Sequence, residues 1–212
     1  MKTTIIISIL LILLTTATAA QAITISGWSH PDYIQADISA TYSAGDSTLL
    51  LTVTNTSPAT SAFLRGLLFS APDVTLNLRN VSYYAQSVLT NPTDVTDNWS
   101  VGTPESSILN AEPIKYHEGI TTALFTGRNF DGGNPNLGLE TGWTATFLFN
   151  VEGQINQPLG EFIARFQSIN YLGITGSDSD FAHAAPTPVP GAVWLLGAGL
   201  IGLTGLRRRI RT

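Results

Sequence analysis

Hydrophobic and polar positions alternate with a period of two along most of the chain. Ala36, Ile38, Ala40 and Tyr42 alternate with Asp37, Ser39, Thr41 and Ser43. After a turn at Ala44-Gly45-Asp46-Ser47, Leu49, Leu51 and Val53 alternate with Leu50, Thr52 and Thr54. Two alternating runs about a Gly-Asp turn predict a β-hairpin with one face to the core. Phe63 to Phe69 is a short apolar run, which predicts a strand buried on both faces. Val74, Leu76 and Leu78 alternate again, and Tyr83-Tyr84 follow. Thr121 to Thr126 predicts a brief strand. The clearest one has Trp143, Ala145, Phe147, Phe149 and Val151 on one side and Thr144, Thr146, Leu148 and Asn150 on the other. Phe162, Ala164 and Phe166, then Ile169 and Tyr171, predict a last strand or two. Asn91 to Glu112 and Gly127 to Gly142 are rich in Pro, Asp, Asn and Gly and are read as mostly loop. Gly176 to His183 is polar.

No long stretch has the i, i+3, i+4, i+7 spacing of an amphipathic helix. Several strands separated by turn signals predict an all-β fold, an antiparallel β-sandwich or jelly roll, over residues 23–184. Its expected core includes Leu51, Val53, Phe69, Trp143, Phe147, Phe149 and Phe166.

The two ends break the alternation. Met1-Lys2 is a short positive start, Ile5 to Leu14 is apolar apart from Ser8, and Thr15 to Ala22 is small and polar. That order predicts a signal helix that is cleaved on export, residues 1–22, handled by the Sec translocon and signal peptidase. Ala17-Thr18-Ala19 and Ala20-Gln21-Ala22 both satisfy the small-residue rule for cleavage. We take the second, which would leave a mature chain beginning Ile23-Thr24-Ile25. At the other end, residues 185–191 form a proline-stiffened linker. Residues 192–206 carry no charge, and Arg207, Arg208, Arg209 and Arg211 lie in the tail 207–212. Trp194 suits an interface, the arginines suit the cytoplasmic side, and Gly197, Gly199, Gly202 and Gly205 are ordinary in a membrane helix. A transmembrane helix over 192–206 is expected, short of the ~20 residues usual for a span.

The segment Thr187-Pro188-Val189-Pro190-Gly191-Ala192-Val193-Trp194-Leu195-Leu196-Gly197, closed by the arginine cluster, resembles the PEP-CTERM sorting signal of Gram-negative bacteria. The resemblance covers about the last 27 residues. It implies a sorting motif at Pro188, Val189, Pro190 and Gly191, a basic stop at Arg207, Arg208, Arg209 and Arg211, and an exosortase-like membrane enzyme as processing partner. It also implies transit through the inner membrane to the envelope, surface or extracellular matrix, in systems that accompany exopolysaccharide and biofilm production. The family's usual glutamate between the prolines is replaced by Val189. The β domain is similar in pattern to small sandwiches that carry this tail and to cohesin-like sandwiches.

Charge sharpens the picture once partitioned. Ten Lys and Arg stand against fifteen Asp and Glu in the whole chain, and five of the basic residues sit in the two end signals. The domain between therefore has a balance near −10, which argues against nucleic acid and anionic lipid as partners. The chain has no cysteine, so thiol chemistry, Cys-ligated zinc and disulfides are excluded.

Candidate chemistry is sparse. His30, His117 and His183 each have an acid nearby, but no His-Glu-x-x-His and no Gly-x-Ser-x-Gly occurs. They are read as surface or loop histidines. Glu105, Glu112, Glu118 and Glu140 lie in loops without a glycosidase signature. No enzyme activity and no cofactor are expected. Calcium is the one metal weighed, at Asp178-Ser179-Asp180, at Asp94 with Asp97-Asn98, and at Asp131, since these offer clustered oxygens; hydrogen bonding within turns explains the same residues. Trp28, Tyr33, Tyr83, Tyr84, Trp99 and Tyr116 fall at strand ends or in loops. There they either seal the core or stack on sugars, exopolysaccharide among them. A structural or adhesive role in such a matrix is what the resemblance implies. A carbohydrate-binding module is the alternative, followed by an unrecognised glycan hydrolase.

Overall fold

The computed structural model describes residues 19–85, 92–127, 130, 135–171 and 178–184. The predicted leader up to residue 18, the linker and sorting motif Pro188 to Gly191, the helix 192–206 and the arginines 207–211 lie outside the described residues. Among those described, no helix is long and apolar enough to cross a membrane.

Eleven strands run in chain order: β1 (Ala19–Gly27), β2 (Gln35–Ser43), β3 (Thr48–Asn55), β4 (Ser61–Phe69), β5 (Thr75–Ala85), β6 (Thr93–Asp94), β7 (Trp99–Gly102), β8 (Thr122–Thr126), β9 (Trp143–Glu152), β10 (Phe162–Asn170) and β11 (Ser179–Ala184). Among the described residues, one short helix, α1 (Ser106–Leu109), and three 3-10 turns interrupt them. The fold is all-β and antiparallel, as the alternation predicts. In place of two separate sheets, the strands form one continuous sheet in the order β6-β5-β9-β3-β2-β1-β11-β10-β4-β8-β7. β1 joins its halves. It pairs with β2 from Ala19↔Tyr42 to Ser26↔Gln35, but with β11 only at Ser26↔His183 and Gly27↔Ala182.

One apolar core fills the curl. Ile25, Ile38, Leu51, Val53, Phe147 and Phe149 from one half meet Leu64, Leu67, Phe69, Phe162 and Phe166 from the other. The expected core residues are there, with Trp143 at its margin. The curl is closed by side chains. Trp99 on β7 packs edge-on against Phe147, 4.9 Å between centroids, and its Nε1 donates to the Tyr83 hydroxyl on β5 at 2.6 Å.

The outer faces of the halves differ, and this positions the site. Over β1, β2, β3 and β9 the outward row Thr24, Asp37, Thr54 and Thr144 lies in register, linked by Thr24 Oγ1 to Asp37 (2.6 Å) and Thr54 to Thr144 (3.0 Å). Over β10, β4 and β8 the outer face is apolar. It is covered by the segment between β7 and β8 and by Phe130, through Ile108, Ile114 and Ile120 on Leu68, Ala123 and Ile163. That second layer explains why β4 carries buried apolar residues on both faces, on either side of Arg65 and Gly66. It also explains Gly66, where a Cβ would stand 2.5 Å from the Phe130 ring.

Four strands go beyond the alternation, and two of them, β6 and β7, fall in the stretch from Asn91 to Glu112 read as mostly loop. β11 falls in the segment read as polar, and the first four residues of β1 fall inside the predicted leader.

Candidate functional site

The residues gathered at one place on the surface come from three elements: the end of β1, the outer face of β11, and the covering segment ahead of β8. All three histidines are there, although nothing in their sequence spacing joins them.

The chain leaves β1 at Gly27 and doubles back to β2. Ile34 O accepts from Gly27 N at 3.1 Å, and His30 O accepts from Tyr33 N and Ile34 N. A Cβ on Gly27 would lie 2.6 Å from His30 O, so the turn closes only over a glycine. Asp180, 5% exposed, anchors this turn. Its Oδ2 accepts from Ser29 N (2.9 Å) and His30 N (2.8 Å) and lies 3.2 Å from His30 Nδ1, while its Oδ1 takes Phe181 N at 2.8 Å. Asp178 Oδ2 stands 3.4 Å from the other ring nitrogen of His30. Tyr171 packs on His30 (5.2 Å) and stacks on Tyr33 (4.1 Å).

Trp28 sits at the crest of that turn. Its backbone N donates to Phe181 O at 2.7 Å, which extends the β1–β11 pairing by one bond. Its side chain stays 50% exposed and packs on the His183 ring at 5.0 Å. His183 in turn meets His117 edge-on at 5.1 Å, and His117 Nδ1 is 2.5 Å from Glu161 Oε2. Burial first, and the neighbouring His117 second, hold the His183 imidazole below its ordinary pKa. Beside His117, Tyr116 is 63% exposed. Its hydroxyl donates to Glu112, which also pairs with Lys115, and Lys115 lies over the Tyr116 ring. Lys115 holds the Glu112 carboxyl below its usual range.

The sequence candidates divide accordingly. Of the six aromatics, Trp28 and Tyr116 are exposed. Tyr33 lies against Tyr171, and Tyr84 is half-buried. Trp99 and Tyr83 seal the core, and burial raises the Tyr83 hydroxyl pKa well above its ordinary value. The histidines, read as unrelated, converge with Glu161, which spacing did not single out. Glu105 meets Ser107 and Glu112 meets Lys115. Of the calcium candidates, Asp180 is committed to the His30 turn. Asp94 accepts from Thr96 N and Oγ1, which lowers its pKa, and Asp131 lies outside the described residues. Among the described residues no group of three or more His, Asp or Glu is arranged to hold a metal ion.

The arrangement presents an exposed aromatic side chain with imidazole and carboxylate groups beside it, on a turn held by hydrogen bonds from Ser29 N, His30 N, Tyr33 N and Ile34 N. Aromatic faces of this kind take the apolar C–H face of a ring, and the polar rim takes hydroxyls. Two depressions lie elsewhere: one on the outward face of β1 to β3 beside Thr24 and Asp37, another between residues 71–74 and 154–159.

Fold and site together define an all-β protein with a single curled antiparallel sheet and a surface platform at the seam of its halves. No protein-family model matches the chain, and no curated protein matches it. Among solved structures it is similar to the KRT10-binding region domain of the pneumococcal serine-rich repeat protein PsrP. The two share 14% identity over 78% of this chain and 98% of that one, with a TM-score of 0.30. A likeness of that degree carries no weight for function.

Proposed function

We propose that this is an exported envelope or surface protein of a Gram-negative bacterium, sorted through its PEP-CTERM-like tail, whose β domain is adhesive and holds a polysaccharide of the extracellular matrix. The observation that supports adhesion is the exposed Trp28 ring seated on His183, with His117 and Glu161 behind it. A large apolar side chain left half-open on a turn this tightly bonded is preorganised for contact with something outside the molecule. The acid excess of the domain favours a neutral polymer over an anionic one. We read the role as binding without catalysis, because Asp180 is taken up in holding the His30 turn.

Export and sorting rest on the end segments. In this reading the 192–206 helix pauses in the inner membrane, Arg207 to Arg211 stay cytoplasmic, and Pro188 to Gly191 offer an extended segment to the exosortase-like enzyme. Adhesion is tested by retention of the purified protein on matrix polysaccharide from a producing strain. Trp28→Ala should weaken retention at least tenfold while the melting temperature stays within about 2 °C; equal retention by both proteins rejects this surface. Sorting is tested by Arg207, Arg208 and Arg209→Ser, which should mislocalise the protein or leave its tail unprocessed.

A further inference from the structure

We infer that the leader is removed between Ala19 and Ala20, so that the mature chain begins Ala20-Gln21-Ala22 and not at Ile23. The inference rests on the export reading above. Both Ala-x-Ala sites present small residues one and three positions before the cut, so the local chemistry of recognition does not separate them. The fold does. β1 pairs with β2 residue for residue from its first position, with Ala20↔Thr41, Gln21↔Ala40 and Ala22↔Ser39. Gln21 points inward in step with Ile23 and Ile25. It is 9% exposed, and its Nε2 donates to Leu159 O at 3.1 Å. A glutamine with its own acceptor inside the folded domain belongs to the domain.

The new terminus gives a second argument. Hydrolysis adds water across one peptide bond, leaving a carboxylate on the departing leader and an α-ammonium on the mature chain. A cut after Ala22 would put that charge on the nitrogen of Ile23, part-way along the ladder opposite Ile38, and would remove the part of β1 that pairs with Ser39 to Tyr42. It would also strip Leu159 O of its side-chain donor. A cut after Ala19 puts the ammonium on Ala20, which is exposed.

The experiment is intact-mass and N-terminal analysis of the full chain expressed in a Gram-negative host and recovered from its envelope. A mature protein starting at Ala20 supports the inference. A start at Ile23 overturns it but leaves export standing, and a chain still beginning at Met1 overturns both. Pulse-chase of two variants separates the sites independently. Ala19→Arg should abolish the Ala20 start, and Ala22→Arg should leave both that start and the rate of precursor loss as in the wild type. The reverse pattern overturns the assignment.

Discussion

The Oδ2 atom of Asp180 accepts two backbone N–H groups and faces the ring of His30, all within 3.2 Å. A buried carboxylate with so many donors fixes the turn that lifts Trp28 to the surface. Removing it leaves those donors without a partner, at about 3 kcal/mol for a site of this burial. Asp180→Ala should therefore lower the unfolding free energy read from urea denaturation by that amount and red-shift the Trp28 emission, while the conservative Asp180→Asn should lose less on both counts. A second residue-scale expectation concerns acid. His183 takes up its proton at lower pH in the folded chain than in the unfolded one, whose value is near 6.5. The unfolded state thus binds the extra proton first, so stability is complete above about pH 6.5 and is lost as pH falls through the folded value. Unfolding midpoints measured from about pH 7.5 down to 5.5 should fall for the wild type, and His183→Gln should flatten that slope. The groups facing His183 are His117, Glu161, Asp180, Trp28 and the paired Ser26 and Ile163.

At the scale of elements, strands with a full side-to-side alternation were readable and the others were not. β2, β3 and β9 each put three or more apolar residues on one face, and a single amphipathic period identifies such a strand wherever it ends up. β4 was readable as doubly buried because neighbouring positions are apolar on either side of Arg65 and Gly66. β11 has only Ala182 facing the main core between Asp180 and His183, too little apolar content to show a period. Its place comes from pairing with β10 and β1. The start of β1 is built of small residues that equally suit a leader's end, so local composition pointed away from a strand there. The end of β3 supplies a testable case. Asn55 is fully buried, donates to Ala62 O (2.7 Å) and Leu139 O (2.9 Å), and accepts from Ser57 N and Oγ. It straps β3 to the start of β4 and to the loop before β9. Asn55→Ala should cost about 2–4 kcal/mol in denaturant unfolding, since buried carbonyls lose their donors. The Asn55-Thr56-Ser57 sequon is closed to modification for the same reason.

Across the described residues, a sheet of eleven strands curls until β7 approaches β5. Trp99 and Tyr83 hold that closure. The Tyr83 hydroxyl accepts from Trp99 Nε1 and donates to Leu137 O at 3.2 Å. Tyr83→Phe keeps the ring and its packing but leaves the buried indole N–H without its acceptor. The expected cost is about 1–3 kcal/mol, read as a lower thermal midpoint with unchanged far-ultraviolet circular dichroism. A larger loss with altered secondary structure would show that the closure also sets the curl.

The chain alone announced an antiparallel all-β domain, its main core residues and two unlike ends, because alternation, turn chemistry and charge blocks are local and survive without knowledge of neighbours. It did not announce that one strand would link two halves into a single sheet, or that His30, His117, His183, Glu161 and Trp28 would share one patch of surface. Those residues are up to about 150 positions apart and meet only because β11 lies between β1 and β10. Which strand lies beside which follows from burying one shared core, and no period along the sequence records that choice.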